Sequence, residues 1–161
     1  MRPTLGVLFV CLGNICRSPT AEAVMARRIA DAGLADAVWV DSCGTAAYHI
    51  GSPPDRRAQR AGAARGYDLS PLRARQLQAD DFSRFDYLLA MDAANLRAIQ
   101  AIAPRGHRGE IRLLMDCATA PAVREVPDPY YGSGDGFAEV LDLVEQATEG
   151  LLGVLQARLT G

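Results

Sequence analysis

The sequence predicts an α/β fold: a single-domain three-layer sandwich over residues 1–161, with a four-stranded parallel sheet and helices on both faces. Three observations lead there. Short apolar runs alternate along the chain with stretches of helical spacing. The length suits one domain with a proper core. The stretch of most unusual composition, residues 10–19, falls at the carboxyl end of the first predicted strand, where folds of this class bind ligands.

Residues 5–10 form the first strand, a short apolar run. Residues 19–32 have helical spacing and stop at Gly33, with Pro19 suited to a first turn and Ser18 as the predicted N-cap. Glu22 stands one residue too far on for a regular capping box, which leaves the Ser18 hydroxyl free for another task. Residues 38–42 are strand two, and 46–54 are a loop broken by Gly51, Pro53 and Pro54 that exposes Tyr48 and His49. A helix over 55–65 stops at Gly66; its Arg56, Arg57 and Arg60 are read as a solvated face, and His49 as a solvated rim residue. Residues 69–79 are irregular. Strand three covers 87–91, a helix capped by Asp92 covers 93–102, and strand four covers 111–114. Residues 115–136 are a long loop rich in Pro, Gly and Asp, and loops of that length in compact domains are usually functional. An amphipathic helix over 137–159 closes the chain.

Composition narrows the function. Apolar residues make up 49% and charged residues 22%, the balance of a globular protein. A net charge of −2 exerts no general pull towards nucleic acid or membrane. All 17 basic residues are arginine, which is read as composition bias. No secretory signal or membrane span is expected, and a cytoplasmic location is. Cys11, Cys16, Cys43 and Cys117 show no metal-ligand pairing, so neither a metal nor another cofactor is expected.

The chemistry is concentrated in Val10-Cys11-Leu12-Gly13-Asn14-Ile15-Cys16-Arg17-Ser18-Pro19. A tight turn between a strand and a helix N-terminus offers backbone N–H groups and the positive end of a helix dipole to an anion. Gly13 allows a sharp turn, and Asn14 tolerates left-handed backbone angles. Leu12, Gly13, Asn14, Ile15, Cys16, Arg17 and Ser18 are the predicted phosphate-binding set. Arg17 can fork two donors onto two phosphate oxygens, and it joins the dipole and the amides in favouring a thiolate at Cys11. A thiolate beneath a bound phosphate is placed for in-line attack on phosphorus. The leaving group then needs a proton. Asp128, held between Pro127 and Pro129, is the candidate acid. Tyr130 and Tyr131 beside it can stack on an aromatic leaving group opposite Tyr48, in a pocket deep enough for phosphotyrosine and too deep for phosphoserine.

Two motifs together, Cys11-Leu-Gly-Asn-Ile-Cys-Arg-Ser-Pro19 and Asp128-Pro129-Tyr130-Tyr131-Gly132, resemble the signatures of the low-molecular-weight protein tyrosine phosphatases, in the same order and over essentially the whole chain. The resemblance implies the phosphotyrosine phosphatase I-like fold. It implies hydrolysis of phosphotyrosine through a phosphocysteine, with Cys11, Arg17 and Asp128 catalytic and no cofactor. It implies that Ser42 braces Asn14, although a plain polar strand end is an equal reading. It brings Asp92 near the loop as a support alongside its capping role, and Ser18 joins the same supporting group. It makes Tyr48 and Ile15 walls of the cleft, and the Ile favours phosphotyrosine over phosphoarginine, where a related branch has Thr. It favours Cys16 as a redox partner that traps an oxidised Cys11, against Cys16 as a small buried side chain. Leu72 stands where the family often has a His that helps brace the loop Asn, which questions part of that brace. The implied partner is a tyrosine-phosphorylated protein, with a bacterial tyrosine kinase one candidate, and the implied state is a monomer or weak dimer. Two rivals are weighed against this reading. An arsenate reductase needs two further shuttling cysteines close together, whereas Cys43 and Cys117 are far apart. A phosphate-binding carrier or pseudo-enzyme has no use for a leaving-group acid.

Overall fold

The computed structural model describes residues 5–121, 123–132 and 135–161, with the backbone alone of Asp135. The elements run β1 (Leu5–Cys11), α1 (Arg17–Asp31), β2 (Val38–Gly44), α2 (Arg56–Ala64), α3 (Asp81–Arg84), β3 (Tyr87–Ala90), α4 (Ala93–Ile102), β4 (Glu110–Leu113), a 3-10 turn at Leu114–Cys117, and α5 (Asp135–Thr160). The four strands are parallel in the order β2-β1-β3-β4. The α/β class, the four-stranded parallel sheet and the helices on both faces agree with the expectation.

The sheet is two-sided because its central strands are apolar on both sides. Leu5, Val7, Phe9 and Cys11 of β1 join one core with Val24 and Met25 of α1 and Leu141 and Val144 of α5. Leu8 and Val10 turn the other way, into a second core with Phe82, Phe85 and Ile99. The alternation continues in β3, where Leu89 faces the first core and Leu88 the second. At the sheet edge, β4 exposes Glu110 and Arg112, and only its Leu113 is buried.

Helix ends follow the predicted stop signals. Past α1, Gly33 takes φ 73, its N–H reaching the Ala30 carbonyl and that of Leu34 the Ile29 carbonyl, the paired closure that a left-handed glycine permits.

The strand order matters for function. From β1 the chain passes to β2 on one side and to β3 on the other, so the carboxyl ends of β1 and β3 flank a topological switch point, the crevice where open parallel sheets bind ligands.

Several boundaries differ from expectation. Helix α1 begins at Arg17, so Ser18 lies inside its first turn and is not the N-cap; Cys16 holds that position with no side-chain cap. One turn of helix, α3, sits where no element was expected. Its start is tied down by the buried Asp81, whose carboxylate accepts from the Gln78 N–H. Within the expected long loop, Leu114–Cys117 winds into a 3-10 turn and α5 starts at Asp135; residues 122, 133 and 134 of that loop lie outside the described residues.

Candidate active site

The loop from Leu12 to Cys16 leaves the carboxyl end of β1 and enters α1. Its turn is made by Asn14, which sits at φ 58, and not by Gly13. Asn can hold that conformation because its short amide finds local partners. Gly13 serves instead as a close-packing position: a Cβ there would meet Cδ2 of His49 at 3.0 Å. Gly44, ending β2, has a similar reason to lack a side chain, since a Cβ would lie 2.6 Å from the Leu12 carbonyl oxygen.

Asn14 is the hub of the brace. Its Oδ1 accepts the Arg75 backbone N–H at 3.0 Å, which fixes the orientation of the amide, because a backbone N–H can only donate. The two hydrogens of Nδ2 therefore go to Ser18 Oγ at 2.7 Å and Ser42 Oγ at 3.0 Å. Ser42 passes its own proton to Glu22 at 2.6 Å. Ser18, accepting from Asn14, has its proton available to Cys11 Sγ at 3.0 Å, with the Cys43 carbonyl at 3.3 Å as the alternative acceptor. The Asn14 N–H also points at Cys11 Sγ, 3.3 Å away. Two donors thus converge on a buried sulfur, an arrangement that stabilises a thiolate. Asn14 is satisfied on both amide atoms with Leu72 in the position of the expected His, so this brace is complete without an imidazole.

The backbone N–H groups of Leu12, Gly13, Ile15, Cys16, Arg17 and Ser18 take no protein acceptor among the described residues. They open α1, at the positive end of its dipole, and can receive an anion. Arg17 is buried to 2% exposure. Its Nη1 is held by Asp92 Oδ2 at 2.6 Å and by the Val126 carbonyl at 3.0 Å, and its Nη2 lies 3.7 Å from Asp128. Asp92 does both of the jobs weighed for it: while one oxygen holds Arg17, the other caps α4 through the Asn95 N–H at 2.8 Å. The Val126 N–H donates to the Met91 carbonyl at 2.8 Å, so one residue ties the acid-bearing loop both to the end of β3 and to Arg17.

A cleft of about 100 Å³ opens above Cys11. Leu12, Gly13, Ile15, Cys16 and Arg17 form the floor and one side, with Tyr48 and His49 on another and Asp128, Tyr130 and Tyr131 opposite. Asn14 and Ser18 stand behind the floor. Asp128 is partly exposed at the mouth and accepts the Tyr130 N–H at 3.0 Å through Oδ1. Tyr130 and Tyr131 meet edge to face, ring centres 4.8 Å apart, and Tyr131 is 93% exposed.

Two cleft residues were read from sequence as plain surface. His49 lines the cleft between Tyr48 and Tyr130, its ring centre 6.4 Å and 6.3 Å from theirs. Arg57 is not part of a solvated face: it grips Asp55 with two bonds of 3.1 and 3.0 Å, donates to the Tyr130 carbonyl at 3.0 Å and lies over the rings of Tyr130 and Phe137. The Asp55 N–H in turn holds the Ile15 carbonyl at 2.8 Å. The start of α2 therefore clamps the phosphate loop to the acid loop. The Arg57 guanidinium holds the Asp55 carboxyl below its ordinary value. No pattern in the sequence marks Arg57, except that it follows two residues after a helix-capping Asp.

The four cysteines are free thiols. Burial, reinforced by the charges of Asp55, Cys11 and Asp128, pushes the Cys16 thiol up to about 12. Burial also raises Cys43 well above the ordinary thiol range and Cys117 to about 11.

Against known proteins, the family model described as low molecular weight phosphotyrosine protein phosphatase matches residues 6–160. A low molecular weight protein-tyrosine-phosphatase of Streptomyces coelicolor is 47% identical over 161 residues, covering 98% of each chain. The crystal structure of a protein tyrosine phosphatase from Entamoeba histolytica, with Hepes in its active site, superposes with a TM-score of 0.91 at 40% identity, covering 96% of this chain and 98% of that one. A Drosophila arginine phosphatase superposes with a TM-score of 0.87 at 32% identity, over 92% of this chain and 96% of its own.

Proposed function

This chain belongs to the low molecular weight phosphotyrosine protein phosphatase family and is a protein-tyrosine phosphatase, and from that premise we propose how its own residues divide the reaction. The substrate phosphate sits on the free loop amides, with Arg17 Nη2 and Nε available because Nη1 is already committed. The Cys11 thiolate attacks phosphorus in line, the P–S bond forms, and the P–O bond to the tyrosine breaks. Asp128 delivers its proton to the departing phenoxide. The resulting carboxylate then takes a proton from water, which attacks phosphorus and breaks the P–S bond. Cys11 leaves as a thiolate and Asp128 is protonated again. The observation that carries this reading is the convergence in one cleft of a doubly hydrogen-bonded buried sulfur, a pinned arginine and a carboxylate at the mouth.

The rivals fare worse. An arsenate reductase needs mobile shuttling thiols, and Cys43 is fully buried with its thiol pushed up. A phosphate carrier gives no role to Asp128. For the leaving group, Ile15 on the cleft wall with Tyr48, Tyr130 and Tyr131 favours an aromatic ring. Phosphoarginine remains the alternative to test, since one structural neighbour is named an arginine phosphatase.

The deciding experiment measures phosphate release from matched phosphotyrosine, phosphoserine and phosphoarginine peptides, with wild type and Cys11→Ser. Turnover confined to phosphotyrosine and lost in Cys11→Ser, with phosphate still bound, is the expected result. Preference for phosphoarginine removes Ile15 as the gate, and residual Cys11→Ser activity above about a tenth of wild type removes Cys11 as nucleophile.

We further assign Cys16 as the thiol that rescues an oxidised Cys11. Peroxide oxidises the Cys11 thiolate to a sulfenic acid with release of hydroxide, and the Cys16 thiol displaces water from it to close a disulfide. A thiol near 12 attacks slowly at neutral pH, so closure accelerates as pH rises. The partner is a tyrosine-phosphorylated protein, with a bacterial tyrosine kinase a natural substrate, and the enzyme is a cytoplasmic monomer or weak dimer. No helix among the described residues is long and apolar enough to cross a membrane.

A further inference from the structure

We propose that Glu22 is a positioning residue for the Cys11 nucleophile: its carboxylate anchors the far end of a hydrogen-bond network that runs through Ser42, Asn14 and Ser18 to the sulfur. The proposal rests on Cys11 being the nucleophile. The links around Asn14 have one allowed direction. The Arg75 N–H forces Asn14 Oδ1 towards itself, so both Ser18 and Ser42 must accept from Nδ2. Ser42 is then left with a single proton, and Glu22 Oε1, 2.6 Å away, receives it. Ser18 is likewise left with a single proton, which Cys11 Sγ at 3.0 Å and the Cys43 carbonyl at 3.3 Å can accept. Glu22 is thus the terminal acceptor of a chain whose other end points at the reacting atom. An ionised acceptor makes a hydrogen bond roughly twice as strong as a neutral one, so the charge on Glu22 tightens the Ser42 link and, through the Ser42 hydroxyl, the Asn14 donation to it; this fixes the position of the amide whose other hydrogen serves Ser18.

The surroundings bring that charge into question at working pH. Glu22 forms no ion pair among the described residues. The ionisable groups that bear on it are Asp41 of β2, which disfavours its charge, and Arg75 of the segment between α2 and α3, which favours it but is already shared between Asp41 and Asp81. The Ser42 hydroxyl also favours the carboxylate, yet burial outweighs both and pushes the Glu22 carboxyl up to about 7. Below neutrality the chain ends on a neutral acid and slackens; above it the chain ends on a carboxylate.

The test is steady-state hydrolysis of p-nitrophenyl phosphate from pH 5 to 9 by wild type, Glu22→Gln, Ser42→Ala, the double variant and Cys11→Ser. Wild-type kcat is expected to carry a limb near neutral pH worth about threefold to tenfold, the range of one modest hydrogen bond, with KM changing less. Glu22→Gln lacks the limb and stays at its acid level. In the Ser42→Ala background the Glu22→Gln change has no further effect, because the link that transmits it is gone. A limb that persists in Glu22→Gln, equal losses in both backgrounds, or a wild type without the limb overturns the proposal. If Glu22→Gln fails to fold, Ser42→Ala alone must erase the limb or the proposal falls. Cys11→Ser separates the two readings: turnover like wild type removes the nucleophile itself, whereas a dead Cys11→Ser beside an unchanged Glu22→Gln profile removes only the positioning role.

Discussion

The two sides of the cleft are built on opposite physical terms. The phosphate loop is mostly buried, its Asn14, Arg17 and Ser18 side chains are tied to fixed partners, and it is anchored to β1, β2 and the segment around Arg75. The acid loop is half-exposed and is held at few points: Val126 against β3 and Arg17 at one end, and Arg57 on the Tyr130 carbonyl at the other. The difference matches what each side has to do. A nucleophile and an anion cradle need fixed geometry, and low dielectric strengthens every bond that fixes them. A general acid must reach water in the second half-reaction, and an aromatic rim must admit a protein side chain.

That contrast can be broken in graded steps. Asp128→Asn removes the proton donor and leaves the floor intact; the rate on aryl phosphates is expected to fall by about two to four decades, with phosphate affinity retained. An unchanged rate would move the acid elsewhere. Asn14→Ala attacks the other side. It strands the Arg75 N–H and forces Ala into a left-handed conformation, so urea denaturation is expected to register a loss of about 3 kcal/mol, accompanied by weaker phosphate binding. If stability holds, the brace is not the stiff element described above. Arg57→Ala unclamps the acid loop with little cost to the core: kcat on phosphotyrosine peptides should drop by about tenfold, while the thermal midpoint stays close to that of wild type, as for a partly exposed pair. A large stability loss with normal kcat would make Arg57 a structural residue.

A last expected effect concerns pH and stability. The Glu22 carboxyl is raised from an ordinary 4.5 to about 7 in the folded protein. A raised group contributes its full share below its unfolded value and loses it as pH rises through the folded value. Glu22→Gln, which carries no charge to bury, should therefore gain on wild type between about pH 4.5 and 7, by about 3 kcal/mol from pH 4 to pH 8. Thermal melts at pH 4.5 and 8 check this, and a constant difference between the two proteins would contradict it.

Much of the site is legible in local sequence because its physics is local. A cysteine at a strand end, an Arg six residues on and a helix starting between them require only chain geometry to place a thiolate and a cation around one anion. Asp92 is readable as a cap for the same reason. Ser18 shows where local reading stops short: its position before a proline suits an N-cap, yet the helix starts at Arg17, two residues earlier than expected, and the hydroxyl lies against the sulfur. Asn14 takes the left-handed conformation that its residue type tolerates, held there by Arg75, Ser18 and Ser42, whereas Gly13, expected to make the sharp turn, has His49 pressed against it instead.

By itself the sequence determined the alternation of strands and helices and the strand–turn–helix placement of Cys11 and Arg17, since these depend on periodicity, turn chemistry and residue type; the pairing of that loop with Asp128 was legible only through the resemblance that the two motifs carry together. Only the tertiary structure decided that Arg57 clamps Tyr130 from 73 positions away, that Glu22 on α1 meets Ser42 on β2, and that Arg75 sets the direction of the Asn14 amide. Those residues are ordinary in isolation. Parallel strands bring distant segments together at their carboxyl ends, and there a buried donor or acceptor must take whichever partner the packing supplies.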